Sequence, residues 1–418
     1  MIFVNDKFYG HEYFYDAYEA FKADPILGDC VGKRFAVCSD DPAYVLSVCL
    51  YLRQHGGSFY PIFSPTPRLA AKRLANRAEC HFLLFDKNQP AMTLQNSKVD
   101  EEAVLVQTSS GTTGEPKVIT RTWQSIAEEV ENYVDFFSLP QTMTPLIACP
   151  ITHSYGLIAG VLVALKRGLT PVIINNINPK YLLKTLLNTP NHLLYSSPAL
   201  INSVVQLYPR DQMLHAVMTS GTVLPEAWFD ALRKKTKHVF QQYGCSEAGC
   251  ISINPYTLTA NQIGLPLPHL SVKAGTSASS PEEIVIINGN RTINTQDLGY
   301  LDDKGELYFI SRCDDMINVS GLNVYPQDIE NVVLEMPEVS EAIVFKRPDP
   351  FSGDRVCLQF IASGQLEPSL IRHWCGTRLA AYQLPVDIEQ CEEIEKMANG
   401  KINRKALSQS KISIPAIG

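Results

Sequence analysis

The stretch "AVLVQTSSGTTGEPKVITRTW", residues 103–123, is where the reading of this chain begins. Its centre, residues 109–118, contains two Ser, two Thr, two Gly and one Pro, followed by Lys117. From Ser109 to Lys117 nothing can serve as core. An apolar run, "AVLVQ", precedes it, and the helix-like "SIAEEVENYVDFF" follows. Successive Gly and Ser/Thr residues let backbone N–H groups turn toward one point, and the hydroxyls add donors. Such a concavity holds phosphate oxygens, and a lysine at its exit adds positive charge. The spacing is not the G-x-x-x-x-G-K-[ST] phosphate loop, because Gly111 and Gly114 are too close and no GK[ST] follows. Taken alone, the loop also suits a polar surface turn.

Outward from the loop, short apolar runs alternate with helix-like segments. "RFAVCSD" precedes "DPAYVLSVCLYLRQHGG", whose apolar residues recur at helical spacing before Gly56 and Gly57. "HFLLFD", "PLIACP", "TPVIINN", "HLLYSS", "AVMTSG" and "HVFQQYG" are further strand candidates. Alternation of this kind predicts an α/β fold with mainly parallel sheets flanked by helices. After about Ile263 the texture changes. "EEIVIING", "ELYFISR" and "EAIVFKR" read as strands of an antiparallel or mixed system, and "YPQDIENVVLEM" as a helix opened by Pro326. The charged turn "SRCDDM", residues 311–316, is the expected boundary. It predicts a large N-terminal domain over 1–313 and a small α+β domain over 314–418.

Composition narrows the function classes. A chain of 418 residues exceeds what one core usually supports. A net charge of −7 argues against a nonspecific nucleic-acid binder, which needs a basic face. Eleven cysteines without a C-x-x-C pair suit reduced thiols better than a disulfide framework or a zinc site. The aromatic, polar start lacks the pattern of a secretory signal, and the apolar stretch "YGLIAGVLVAL" is too short to span a bilayer. A soluble, cytoplasmic protein without a membrane span is expected.

Four further stretches occur in a fixed order with "SSGTTGEPK". They are "PITHSYGL" (150–157), "QQYGCSEAG" (241–249), "TQDLGYLDDKGELYFISRCDDMINVSGLNVYP" (295–326) and "NGKINRKAL" (399–407). The series resembles the adenylate-forming enzymes: acyl- and aryl-CoA synthetases, carrier-protein adenylation domains and luciferases. The resemblance runs from about Arg34 to Leu407. It implies ATP- and Mg²⁺-dependent activation of a small carboxylic acid to an acyl-adenylate with release of pyrophosphate, then transfer to a thiol.

The resemblance also implies roles for matching residues. Ser109, Ser110, Gly111, Thr112, Thr113, Gly114 and Lys117 would grip the β- and γ-phosphates of ATP. Tyr243 would lie by the adenine, Ser246 by the phosphate, and Glu247 would hold Mg²⁺. Asp297 would bind both ribose hydroxyls and Arg312 would contact the ribose, while Lys401 would bridge the substrate carboxylate and the α-phosphate. His153, Gly221 and Gly244 would line the acid pocket. Asp314 would be the hinge, and Gly321 would face the thiol tunnel. The chemistry agrees with these residue types. A carboxylate attacking a phosphate joins two anions, so cations and Mg²⁺ around the phosphates are needed. An ionised Asp297 can accept from two neighbouring hydroxyls at once.

Between Leu146 and Gly160 the chain has no carboxylate. A buried substrate ammonium without a partner is costly, so an α-amino acid is not expected. "PKVITRTW" resembles the form found in aryl-acid ligases, with Trp123 where those carry His. An aryl or short-to-medium acyl acid is expected. The thiol acceptor is either coenzyme A or the phosphopantetheine of an acyl or aryl carrier protein, since both carry the same arm. Two alternatives stand beside this acid–thiol ligase: a ligase that stops at the adenylate, and a non-catalytic acyl- or nucleotide-binding protein.

Overall fold

The computed structural model describes residues 1–109, 117–175, 178–289, 291–396 and 402–409, the side chain of Ser109 excepted. The chain forms an α/β fold with a larger N-terminal part and a smaller C-terminal α+β part, and it packs into two compact units. One takes Met1–Ser220, Lys235–Pro255 and Leu267–Leu270. The other takes Gly221–Lys234, Tyr256–Pro266 and the chain from Ser271 onward.

The first unit contains two sheets. In one, the strands Arg34–Cys38, Ser58–Pro61, Phe82–Phe85 and Val104–Ser109 are linked by parallel pairings. Met92–Thr93 and Lys117–Thr122 add antiparallel edges. The helix Pro42–His55 follows the first of these strands for local reasons. Asp41 accepts hydrogen bonds from the N–H groups of Ala43 and Tyr44 at 3.0 and 3.1 Å, Pro42 opens the first turn, and Gly56 closes the last at φ +80°. Between the Ser/Thr/Gly loop and the following helix lies a segment to which the sequence reading assigns no element. It forms a strand, Lys117–Thr122, before the helix Trp123–Phe136 begins. The β-branched alternation in "KVITRT" favours this, and Thr122 serves as both last strand residue and helix cap, accepting from Ser125 N–H at 3.2 Å.

The other sheet of this unit carries the parallel set His192–Ser196, Leu214–Thr219 and Thr236–Cys245 beside Thr144–Ile147 and Val172–Ile173. Gly249–Asn254 turns back antiparallel on Thr236–Cys245. Next to the far edge, which is Lys7–Tyr9, the N-terminal strand Ile2–Val4 pairs parallel with Val172–Ile173. "YGLIAGVL" is a π-helical segment, Tyr155–Leu162, running into a short α-helix, Val163–Lys166. The core between the layers includes Phe35, Leu46, Tyr133, Ile147, Tyr195, Met218 and Phe240.

In the second unit, Glu282–Asn288, Arg291–Leu301 and Leu307–Arg312 form an antiparallel ladder. A separate sheet joins Ile317–Val319, Leu322–Val324, Val339–Asp349 and Gly353–Ala362, with Asp387–Gln390 added parallel to the last. The helix Pro326–Leu334 begins at Pro326 as the sequence predicts and buries Ile329 and Val333 against this sheet's core.

Candidate nucleotide and acid site

In the first unit, the loop strands and the "YGCSEAG" hairpin bring charged groups together. Val104–Ser109 and Lys117–Thr122 pair antiparallel with Ser109 opposite Lys117, so the Ser/Thr/Gly loop joins the ends of two adjacent strands. The expected phosphate-binding residues Ser110, Gly111, Thr112, Thr113 and Gly114 lie outside the described residues, as does the side chain of Ser109. At the loop's exit, Lys117 Nζ stands 3.7 Å from Glu247 Oε1. The two side chains are 67% and 30% exposed, which leaves both able to meet a ligand.

Glu247 and Ser246 sit in the turn between Thr236–Cys245 and Gly249–Asn254. Pairing shifts by a bulge between Tyr243 and Gly244. Bulges re-aim side chains next to functional sites. A Cβ on Gly244 would collide with the backbone oxygen of Gly249, so this glycine has a packing requirement of its own. Tyr243 is half-buried. Behind it, Gln242 accepts a 2.7 Å hydrogen bond from the buried Tyr133 hydroxyl.

The "PITHSYGL" segment forms the turn before the π-helical stretch. His153 is half-buried there, its N–H donating to Pro150 O at 3.2 Å. Ser154 donates to Gln107 Oε1 at 2.6 Å, tying this turn to the strand that leads into the Ser/Thr/Gly loop. The Tyr155 hydroxyl donates to Met218 O at 2.5 Å and lies 3.4 Å from Ser196 O, at the carboxyl ends of two neighbouring parallel strands. Burial, with Cys149 and Tyr195 nearby, pushes that hydroxyl well above its ordinary range, so it stays a neutral donor. Open parallel sheets bind ligands outside the carboxyl ends of their strands.

In the second unit, Asp297 and Arg312 are cross-strand partners, with Nη1 3.2 Å from Oδ1. Asp297 is buried, and its N–H donates to Thr295 Oγ1 at 3.1 Å. Burial works against the charge on Arg312, but Asp297 and Asp314 outweigh it and raise its pKa. Arg312 Nε also donates to Asp314 Oδ1 at 3.3 Å. Gly321 occupies a two-residue hairpin turn with Ser320; both have positive φ, +86° and +53°. That geometry alone favours glycine. Gly221 also has a positive φ, +91°, just after the strand Leu214–Thr219. Lys401 lies outside the described residues.

Comparison with known proteins identifies the family. Residues 64–275 match the AMP-binding enzyme family, and residues 328–401 match the AMP-binding enzyme C-terminal domain. The chain belongs to the AMP-binding enzyme family. It is 37% identical over 414 residues to a 3,4-dihydroxybenzoate–[aryl-carrier protein] ligase of Bacillus anthracis, covering 99% of this chain and 100% of that one. It is 24% identical to a 2-succinylbenzoate–CoA ligase of Lactococcus lactis, covering 78% and 75% of the two chains. The solved o-succinylbenzoate coenzyme A synthetase of Bacillus subtilis, in complex with ATP and magnesium ion, superposes with a TM-score of 0.82 at 19% identity, over 97% and 96% of the chains.

As an AMP-binding enzyme, the protein is an AMP-forming acid–thiol ligase. It uses ATP and Mg²⁺ to adenylate an aryl or acyl acid, then passes the acyl group to the thiol of coenzyme A or of a carrier protein. Among the described residues no group of three or more His, Cys, Asp or Glu could hold a metal ion by itself. Glu247 fits the remaining possibility, because Mg²⁺ commonly takes one or two carboxylates and completes its shell with water and substrate phosphates. Among the described residues, no helix is long and apolar enough to cross a membrane.

Two contributors escaped the sequence reading: the Ser154–Gln107 bond and a buried pair, Arg121 with Glu129, 2.7 Å apart. The signal for Arg121 was present as a charge inside the β-branched alternation "VITRT".

Proposed function

We propose that the enzyme activates a hydroxylated aryl acid of the 3,4-dihydroxybenzoate type and loads it onto an aryl carrier protein. The observation that carries this reading is the likeness to the Bacillus anthracis ligase, 37% identical over 99% of this chain and 100% of that one. The carboxylate-free segment from Leu146 to Gly160 supports an acid without an ammonium group.

The roles are those the resemblance implies, and they agree with the charge each residue carries. Lys117 and the loop 109–114 hold the β- and γ-phosphates, and Tyr243 and Ser246 flank the nucleotide. Glu247 is the carboxylate for Mg²⁺, which neutralises phosphate charge when bound. Asp297 accepts from the ribose hydroxyls, and Arg312 completes that contact. His153, Gly221 and Gly244 border the acid. Lys401 meets the substrate carboxylate and α-phosphate as the two anions approach, where preorganised positive charge lowers the barrier most. Residues 1–313 and 314–418 act as the two working domains and pivot at Asp314. Lys401 serves adenylation in one orientation, and the Gly321 turn admits the pantetheine thiol in the other. The cysteines are all free thiols, which supports work in the reducing cytoplasm.

The test is a pyrophosphate-release screen over aryl, acyl and α-amino acids, followed by acceptor assays with coenzyme A and aryl carrier proteins. Best turnover with a dihydroxybenzoate, and thioester formed on the carrier protein in preference to coenzyme A, is the expected result. Best turnover with an α-amino acid would overturn the substrate class, and preference for coenzyme A would overturn the acceptor.

A further inference from the structure

Arg121 and Glu129 are 4% and 3% exposed, and their charged groups lie 2.7 Å apart beneath the "YGCSEAG" turn. Glu129 is the more committed partner, since its Oε1 also accepts from the N–H of Cys250 at 2.8 Å. Gly249, the residue before, has φ +81° and rests directly on the pair. A Cβ there would run into Glu129 Oε2 and Arg121 Nη1. The turn that carries Glu247 is therefore seated on two buried charges.

The strand Lys117–Thr122 reaches the same turn twice. Lys117 and Arg121 are four residues apart, hence on one face of the strand. The exposed Lys117 approaches Glu247, and the buried Arg121 underlies Gly249. Burying such a pair is a poor route to stability, because apolar side chains of similar volume commonly serve as well or better. What the pair provides is direction: one carboxylate orientation in which Oε2 faces the Arg121 guanidinium while Oε1 accepts from a specific backbone N–H.

We propose that Arg121 and Glu129 are positioning residues for adenylation. They fix the 245–249 turn so that Tyr243 and Glu247 meet the nucleotide and its Mg²⁺ in register with Lys117. The inference rests on the reading of Tyr243 and Glu247 as nucleotide and metal contacts. Neither residue of the pair touches reacting atoms, and the turn they seat carries Glu247, so their loss acts more on ATP and Mg²⁺ than on the acid.

The experiment uses the full-length Arg121→Met/Glu129→Leu double variant, which replaces the pair with apolar side chains and avoids a lone buried charge. Acid-dependent pyrophosphate exchange is titrated separately with ATP, Mg²⁺ and acid, and thermal unfolding is followed in parallel. The expected result is a KM for ATP raised about tenfold or more and a Mg²⁺ midpoint raised severalfold, with the KM for acid within about twofold of wild type. Wild-type ATP and Mg²⁺ dependence in the folded double variant overturns the proposal, as does an equal rise for ATP and acid. Should the double variant not fold, Glu129→Gln, whose amide oxygen still accepts from Cys250, decides by the same titrations. An unchanged Mg²⁺ response in Glu247→Gln is a separate result, since it removes the metal reading without bearing on wild-type ligase activity.

Discussion

Asp297 and Arg312 face each other across two antiparallel strands, carboxylate and guanidinium 3.2 Å apart, although fourteen residues of chain (298–311) separate them. The hairpin register makes them neighbours, and it leaves the buried carboxylate beside a guanidinium. An ionised Asp297 offers only acceptors, which is what a pair of ribose hydroxyls requires.

Asp297→Asn should raise the KM for ATP by about tenfold to a hundredfold, since hydrogen bonds to a charged group are worth about 1.5–3 kcal/mol. The KM for the acid should stay near wild type. Steady-state kinetics with each substrate varied in turn checks this, and an unchanged ATP KM would remove Asp297 from the ribose site.

Glu247→Gln should fold normally and require far more Mg²⁺ for adenylation, because a neutral amide is a much weaker ligand for this hard cation. The measurement is pyrophosphate exchange across a Mg²⁺ titration. Equal activity at low millimolar Mg²⁺ excludes Glu247 from the metal.

The two half-reactions should respond oppositely to changes in the C-terminal domain. Lys401→Ala should slow adenylation by roughly a hundredfold, about 3 kcal/mol, and spare thioester formation from supplied acyl-adenylate. Asp314→Pro, which fixes φ near −65° and removes an N–H, should preserve adenylation and lose thioester formation. Single-turnover assays of each step decide the matter. Parallel loss of both steps in a folded Asp314→Pro protein would refute the alternation of Lys401 and Gly321.

Stability should fall on mild acidification because of His192. Its ring bridges Thr189 O at 2.7 Å through Nδ1 and the N–H of His215 at 3.0 Å through Nε2, an arrangement only the neutral ring can satisfy. Burial, opposed by the Thr189 bond and aided by His215, holds its pKa below the ordinary 6.5. The folded state thus binds fewer protons than the unfolded state. This contribution is complete above about pH 6.5 and is lost as pH falls toward the folded value, at up to about 1.4 kcal/mol per pH unit. His192→Asn should lower stability near neutrality and flatten its decline below about pH 6.5. Urea unfolding at several pH values checks the slope, and an unaltered slope would exclude His192 as its source.

The local sequence determined much of what positions the site. Asp41, Pro42 and Gly56 delimit one helix, and Pro326 opens another, because caps and fixed φ values act within a single turn. The parallel strands His192–Ser196, Leu214–Thr219 and Thr236–Cys245 were legible as short apolar runs between helices. Five ordered motifs carried the ligase chemistry, since phosphate, ribose and metal each demand particular side-chain types.

Tertiary structure decided which of these pieces meet. No local pattern tells Ile2–Val4 to pair with Val172–Ile173, or Arg121 to lie under Gly249. The strand Lys117–Thr122 could be read as the tail of a polar loop until its partner Val104–Ser109 was in place. Periodicity and capping are set by residues one to four positions apart. Strand partners, buried ion pairs and the seat of the 245–249 turn depend instead on faces brought together from distant parts of the chain, where the desolvation of Arg121 and Glu129 is offset by their pairing and by Cys250 N–H.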